Sequence, residues 1–304
     1  MYLVSWLLVI EAKRFMLVHI KKLIQQAKKE KYAIGAFDTF NLEITLGIIQ
    51  GAKQAKRPII LQVTPTTLKY AGIESMSYLM KTVAQNQAKN IPIALHLDHG
   101  KTFSDIVECI KAGFSSVMID ASNLSFDKNI ALTKKVVQYA RQHNVWVQGE
   151  LGRVVKGKQG YDKLIIEPEE FLTDPDQAQE FVKKTKIHTL AVAIGNIHGL
   201  YKMRHGVPRL FLSRLKEIQK RVNVPLVLHG ASGISSAQIK KAISLGIRII
   251  NIDTEIRMAF KQSLIQSLKV NKKEYDPRKI LFPTIKNVAK IVKKKILIFG
   301  FSKK

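Results

Sequence analysis

The 304-residue sequence contains one cysteine, Cys109. No intrachain disulfide can form, and we expect a reducing, cytoplasmic setting. Cys109 lies among apolar residues at helical spacing and reads as a small core side chain. Long apolar runs are missing too: the opening MYLVSWLLVI stops after about ten residues, short of the roughly 20 that a membrane-spanning helix requires. It has no basic leader and no small-residue cleavage site, so neither a signal peptide nor a membrane partner is expected. Acidic residues are scarce, with 23 Asp and Glu against 50 Lys and Arg and a net charge of +27. Such a charge raises nucleic acid as a partner. The lysines recur, however, on nearly every helical segment (AKKEK, LTKKVV, VKKTK, IVKKK), not in one stretch interleaved with aromatics. They read as solvated helix faces, and nucleic acid is expected only through non-specific charge.

No linker, low-complexity segment or short repeat interrupts the chain. Residues 1–15 read as an N-terminal extension of doubtful origin, with Met16 a second candidate start, and residues 16–304 as one domain. From Met16, MLVHIKKLIQQAKKEKY has the spacing of an amphipathic helix. Eight short, β-branched runs then alternate with helical patterns: residues 33–37, 59–64, 93–98, 116–120, 146–151, 189–194, 226–230 and 249–253. Helix stops precede three of them, at Gly113, Asn144 and Gly246. Strict alternation demands a parallel sheet, and eight units close into a (β/α)8 TIM barrel. The tail from about residue 270 reads as a C-terminal helical extension. An open doubly wound sheet is the alternative, but its G-x-G-x-x-G fingerprint is missing from GAFDTFN.

In such a barrel the carboxyl ends of the strands form the active face. Strand three ends in Asp98 and His99, strand four in Asp120, strand five in Glu150, strand six in GNIHG with His198, strand seven in LHGASG with His229, and strand eight in NIDTE with Asn251 and Asp253. Three neutral imidazoles suit a catalytic Zn2+, because they leave a fourth position open. His99, His198 and His229 are therefore the candidate metal ligands, one ion per subunit. His19, His143, His188 and His205 read as ordinary hydrogen-bonded residues, and His96 as packing one layer below Asp98. The small residues of HGASGI and NIDTE suit phosphate, which barrels of this kind commonly bind after strands seven and eight. Lys202 in HGLYK is placed to close over the same anion.

Together HLDH, DAS, GNIHGLYK, LHGASGI, NIDTE and EYDPRK resemble the class II, metal-dependent ketose-bisphosphate aldolases, from about residue 16 to the C-terminus. The resemblance implies reversible cleavage of fructose 1,6-bisphosphate to dihydroxyacetone phosphate and glyceraldehyde 3-phosphate. It assigns zinc to the three histidines and the acid/base role to Asp98. It gives the phosphorylated ketose to Gly199, Gly230, Ala231, Ser232, Asn251, Ile252, Asp253 and Thr254. Asp120 and Glu150 match acidic positions near the metal, behind the ligands or at an alternate ion position. A homodimer or homotetramer is implied as well.

Two departures stand out. Asp38 occupies a substrate-contact position that is usually Asn, and the loop after strand five reads GRVVKGKQGYD without the expected Glu, leaving Asp162 as a substitute. Tagatose 1,6-bisphosphate is an alternative substrate. Metal-assisted hydrolysis on the same barrel, or a degenerate basic barrel that binds nucleic acid, are the further alternatives.

Overall fold

The computed structural model describes residues 16–88, 90–156, 162, 168–199 and 209–300. Each of the eight apolar runs overlaps a strand, with bounds within about two residues. These are β1 (Ile34–Asp38), β2 (Ile59–Val63), β3 (Ile93–Gly100), β4 (Ser116–Ile119), β5 (Trp146–Leu151), β6 (Thr189–Val192), β7 (Leu226–Leu228) and β8 (Ile247–Ile252). Each pairs in parallel with its neighbours in sequence, and β8 pairs with β1, so the sheet closes into a barrel. The open-sheet alternative is thereby excluded.

Side chains alternate across each strand, and the two sets have separate fates. Leu61, Val63, Leu95, Leu97, Val117, Val147, Leu190, Leu228, Ile250 and Ile252 point outward into one continuous core shared with the surrounding helices. Ile34, Ala36, Ile60, Ala94, Ala191, Val227 and Ile249 fill the foot of the barrel. They meet Ile20, Leu23, Ile24 and Ala27 of α1 (Ile20–Glu30), which plugs that end. Further up the same inward positions the residues become polar: Gln62, His96, Asp98, Gln148 and Glu150, all buried. The barrel is thus apolar at its amino end and titratable at its carboxyl end.

The segment from Met16 departs from the helical expectation in its first turn. The helix starts at Ile20, where the His19 imidazole accepts the Lys21 N–H. Met16 and Val18 instead bond Ile93 at the foot of β3, through Ile93 N–H to Met16 O at 2.7 Å and Val18 N–H to Ile93 O at 2.9 Å. Backbone pairing at an open strand end outweighs one more turn of helix. Residues 1–15 lie outside the described residues.

The tail forms one long helix, α12 (Pro277–Ile298), after α11 (Thr254–Val270). It packs along α2 (Leu42–Ala55). Gly47 and Gly51 of α2 make this close: a Cβ on Gly51 would stand 2.7 Å from Ala289 O, and one on Gly47 2.7 Å from Val288 side-chain atoms. Among the described residues no helix is long and apolar enough to cross a membrane.

Candidate active site

A regular strand would send Asp98 and His99 to opposite faces. β3 avoids this with a register shift between Leu97 and Gly100 against β4. His99 there adopts a left-handed backbone with φ of 50°, a conformation that is costly for a side chain with a Cβ and typical of functional positions. Both side chains consequently serve the mouth of the barrel.

His99 Nδ1 bonds Asp120 Oδ2 at 2.8 Å, which turns the other ring nitrogen inward. His99 Nε2 lies 3.0 Å from His229 Nδ1. The Gln148 side-chain amide stands 2.9 Å from His229 Nε2; with the amide oxygen turned to accept the Nε2 proton, Nδ1, the atom that faces His99, is free to act as a ligand. His198 arrives by a different route: Ile197–His198 pairs with Val155–Lys156 in a two-stranded ladder above the barrel. Gly230 lets the loop that carries His229 pass beside it, since a Cβ there would lie 2.5 Å from Ile197 O. Asn196 ties the two loops together, donating to His229 O at 3.1 Å. One nitrogen from each of His99, His198 and His229 lies within 4.8 Å of the others.

The donor set fits a divalent cation. Nitrogen ligands about 2.05 Å from one tetrahedral zinc stand roughly 3.3 Å apart, near the His99–His229 separation, and a carboxylate behind a ligating imidazole is the usual means of fixing its tautomer. Glu150 adds an orphaned acceptor, Oε2, which is buried without a hydrogen-bond partner and lies 3.7 Å from His99 Nδ1. His99, Asp120 and Glu150 form a second set of donors within 4.8 Å of one another. Lys101 Nζ bonds the same Asp120 oxygen.

The electrostatics agree. Burial opposes a charge on His99, but Asp98, Asp120 and Glu150 outweigh it and raise the imidazole to about 10. This place attracts positive charge, and a cation held through Nε2 would take the place of the extra ring proton. Burial raises Glu150 to about 8, with the Asp120 charge adding to it. Burial also opposes ionisation of Asp120, yet hydrogen bonds and charge from His99 and Lys101 hold its carboxyl far below the usual range. Desolvation drives His229 well below the ordinary histidine value, keeping it neutral, as a ligand must be.

Asp98 is buried and receives Gln62 Nε2 at 3.0 Å and Asn251 Nδ2 at 3.1 Å. Burial is the largest influence on its carboxyl and raises it, against the pull of His99. The Gln62 amide also donates to Asp38 Oδ2 at 3.0 Å. Burial lifts the Asp38 carboxyl well above the usual range, and the charges of Asp98 and Asp253 reinforce it. Burial and the two neighbouring charges thus oppose a negative charge at this position, while the Gln62 donor favours it.

Asp38, Asp98, His99, Asp120, Glu150, His198, Gly199, Gly230, Ser232, Asn251, Asp253 and Thr254 all line one cavity of about 790 Å³. His229, 1% exposed and in contact with the lining His99, does not itself line it, nor do Ala231 and Ile252. Ala231 and Ile252 are 1% and 0% exposed and belong to the outward-facing core, Ile252 as strand alternation requires and Ala231 from the loop after β7. Lys202 and residues 157–161 and 163–167 lie outside the described residues, and Asp162 among them is exposed. His96 bonds Ser116 Oγ at 2.9 Å one layer down, and burial lowers it to about 3. His19, His143 and His188 bond backbone groups away from the mouth; His205 lies outside the described residues. Sequence reasoning missed Gln62, Gln148, Asn196 and Lys101. Gln62 and Gln148 carried a signal, a polar residue at an inward position of an apolar run; Lys101 carried none.

A (β/α)8 barrel whose carboxyl mouth gathers three imidazoles and several buried carboxylates around one cavity defines a barrel enzyme equipped for a divalent cation. A family model described as "Fructose-bisphosphate aldolase class-II" matches residues 18–304. The chain belongs to the class II fructose-bisphosphate aldolase family, a metal-dependent group of lyases. It is 40% identical over 287 residues to a probable fructose-bisphosphate aldolase of Bacillus subtilis, covering 94% of this chain and 98% of that one. It is 39% identical over 308 residues to a fructose-bisphosphate aldolase of Thermus caldophilus, with the same coverage. The crystal structure of the YdjI aldolase from Escherichia coli K12 is 36% identical and superposes with a TM-score of 0.79, over 94% of this chain and 98% of that one.

Proposed function

We propose that the chain is a zinc-dependent ketose-bisphosphate aldolase that reversibly cleaves fructose 1,6-bisphosphate, acting in the cytoplasm as a homo-oligomer. The observation that carries the reading is the approach of His99 Nε2 and His229 Nδ1 to 3.0 Å beside the buried carboxylate of Asp98. The names of the relatives from Bacillus subtilis and Thermus caldophilus support the substrate.

When bound by His99, His198 and His229, the ion supplies Lewis-acid stabilisation for the charge that develops on the ketone oxygen. The remaining work falls to the chain. The loops after β7 and β8, with Gly230, Ser232, Asn251, Asp253 and Thr254 at the cavity wall, hold one phosphate, away from the bond that breaks, and through it fix the ketone at the mouth. Asp98 takes the proton of the hydroxyl on carbon 4. As the bond between carbons 3 and 4 breaks, that hydroxyl becomes the aldehyde of glyceraldehyde 3-phosphate. The electron pair stays on the dihydroxyacetone phosphate half, and the proton that Asp98 took, passed directly or through solvent to carbon 3, completes that product and restores the carboxylate. Asp98 returns its proton in condensation. Gln62 and Asn251 hold the carboxylate in place, one on each oxygen.

The test is a coupled cleavage assay on fructose and tagatose 1,6-bisphosphates. Asp98→Asn should lower kcat by roughly 10²- to 10⁴-fold with bound zinc unchanged. An Asp98→Asn protein that cleaves at the parent rate removes the proposed acid/base. Light scattering checks the oligomer, and a monomer would contradict it.

A further inference from the structure

The C-terminal helix carries a charge where its own pattern calls for an apolar residue. Val288, Val292 and Ile296 of α12 are buried, and Lys295 shares their face at helical spacing. Lys295 is itself only 8% exposed. A lysine is seldom buried unless it is paired, and this one is: its Nζ donates to Glu255 Oε1 at 2.6 Å.

Glu255 stands behind the loop that follows β7. The same Oε1 accepts the backbone N–H of Gly233 at 2.6 Å, and the Glu255 backbone N–H donates to Ser232 Oγ at 3.5 Å. Gly233 adopts a left-handed φ of 76°. One carboxylate therefore fixes the turn whose Ser232 lines the cavity. Left alone, a negative charge directly behind an anion-binding loop would oppose the anion. Lys295 cancels that charge while holding the carboxylate on Gly233.

We propose that Lys295 is a positioning residue for the phosphate end of the substrate, acting through Glu255 on the Ser232–Gly233 turn. The proposal rests on the reading of that loop as the phosphate subsite. The predicted effect is on phosphate binding, with the bond-breaking step left intact.

The experiment uses the full chain with Lys295→Met and Lys295→Arg. It measures inorganic phosphate binding by calorimetry and steady-state cleavage of the ketose bisphosphate. In Lys295→Met the phosphate Kd and the substrate KM should both rise about five- to tenfold, with kcat within about twofold of the parent. Lys295→Arg, which keeps the charge and the donor, should bring both values back toward the parent.

A folded Lys295→Met protein that binds phosphate like the parent overturns the proposal, as does a fall in kcat at unchanged phosphate affinity. If Lys295→Met does not fold, Lys295→Gln, uncharged but still a donor to Glu255, is expected to weaken phosphate by about threefold or more, and unchanged binding overturns the proposal equally. A parent chain that binds phosphate but cleaves no ketose bisphosphate refutes the proposed function and leaves this relay standing. A parent chain that binds no phosphate removes the relay.

Discussion

His99 shows how far single residues were legible in the sequence. Its residue type and its place at a strand end marked it as a ligand candidate. The register shift and left-handed backbone that bring it to the same side as Asp98 left no trace in composition or periodicity, because a bulge is set by what the neighbouring strand offers. Asp120 was legible only as an acid near the metal; its bond to His99 Nδ1 gives it a definite task. Asp120→Ala, which frees that nitrogen and also unpairs Lys101, should weaken zinc binding by roughly 10- to 100-fold. Competition with a chelator of known affinity measures this, and unchanged affinity would mean that the bond does not orient the ligand. Asp38 is the opposite case. The sequence marked it only as a departure from the usual Asn; burial and the charges of Asp98 and Asp253 raise its carboxyl, against the Gln62 amide that donates to it.

Elements were easier to read than residues, because eight buried parallel strands each leave an apolar run. Helix ends were read where glycine or asparagine marks them, at Gly113, Asn144 and Gly246, all with positive φ. They were invisible at Lys31, Lys56 and Lys186, which adopt φ of 57°, 53° and 58° as helix caps. Lysine gives no warning of a left-handed turn; only the following strand's direction demands it. The tail was read as helical, but its partner was not, since the Gly47 and Gly51 pair on α2 resembles any two helical glycines until α12 lies against it. Gly51→Ala should destabilise the fold by about 1–3 kcal/mol, because the new Cβ would press on the backbone oxygen of Ala289, which has no rotamer to yield. Denaturant unfolding checks this, and a stabilised variant would show that α12 can shift away.

For the whole molecule, closure of the barrel does two things at once. It leaves the barrel sheet without an edge, and it sorts the inward side chains into an apolar foot sealed by α1 and a polar mouth. That sorting accounts for the titratable residues at the ends of otherwise apolar runs. The charge of +27 sits, among the described residues, largely on exposed helix faces spread around the barrel. Non-specific DNA retention at low ionic strength should therefore be lost by about 0.2 M salt, with the steep dependence of counterion release. Tight binding that survives at that ionic strength would require a dedicated nucleic-acid surface.

The central claim is that three imidazoles hold one ion beside Asp98. X-ray absorption at the zinc edge, on protein loaded with about one equivalent, addresses it directly. The account predicts three nitrogen scatterers at roughly 2.0–2.1 Å, with one lost in each of His99→Ala, His198→Ala and His229→Ala. A first coordination sphere dominated by oxygen, or unchanged in those variants, would contradict it.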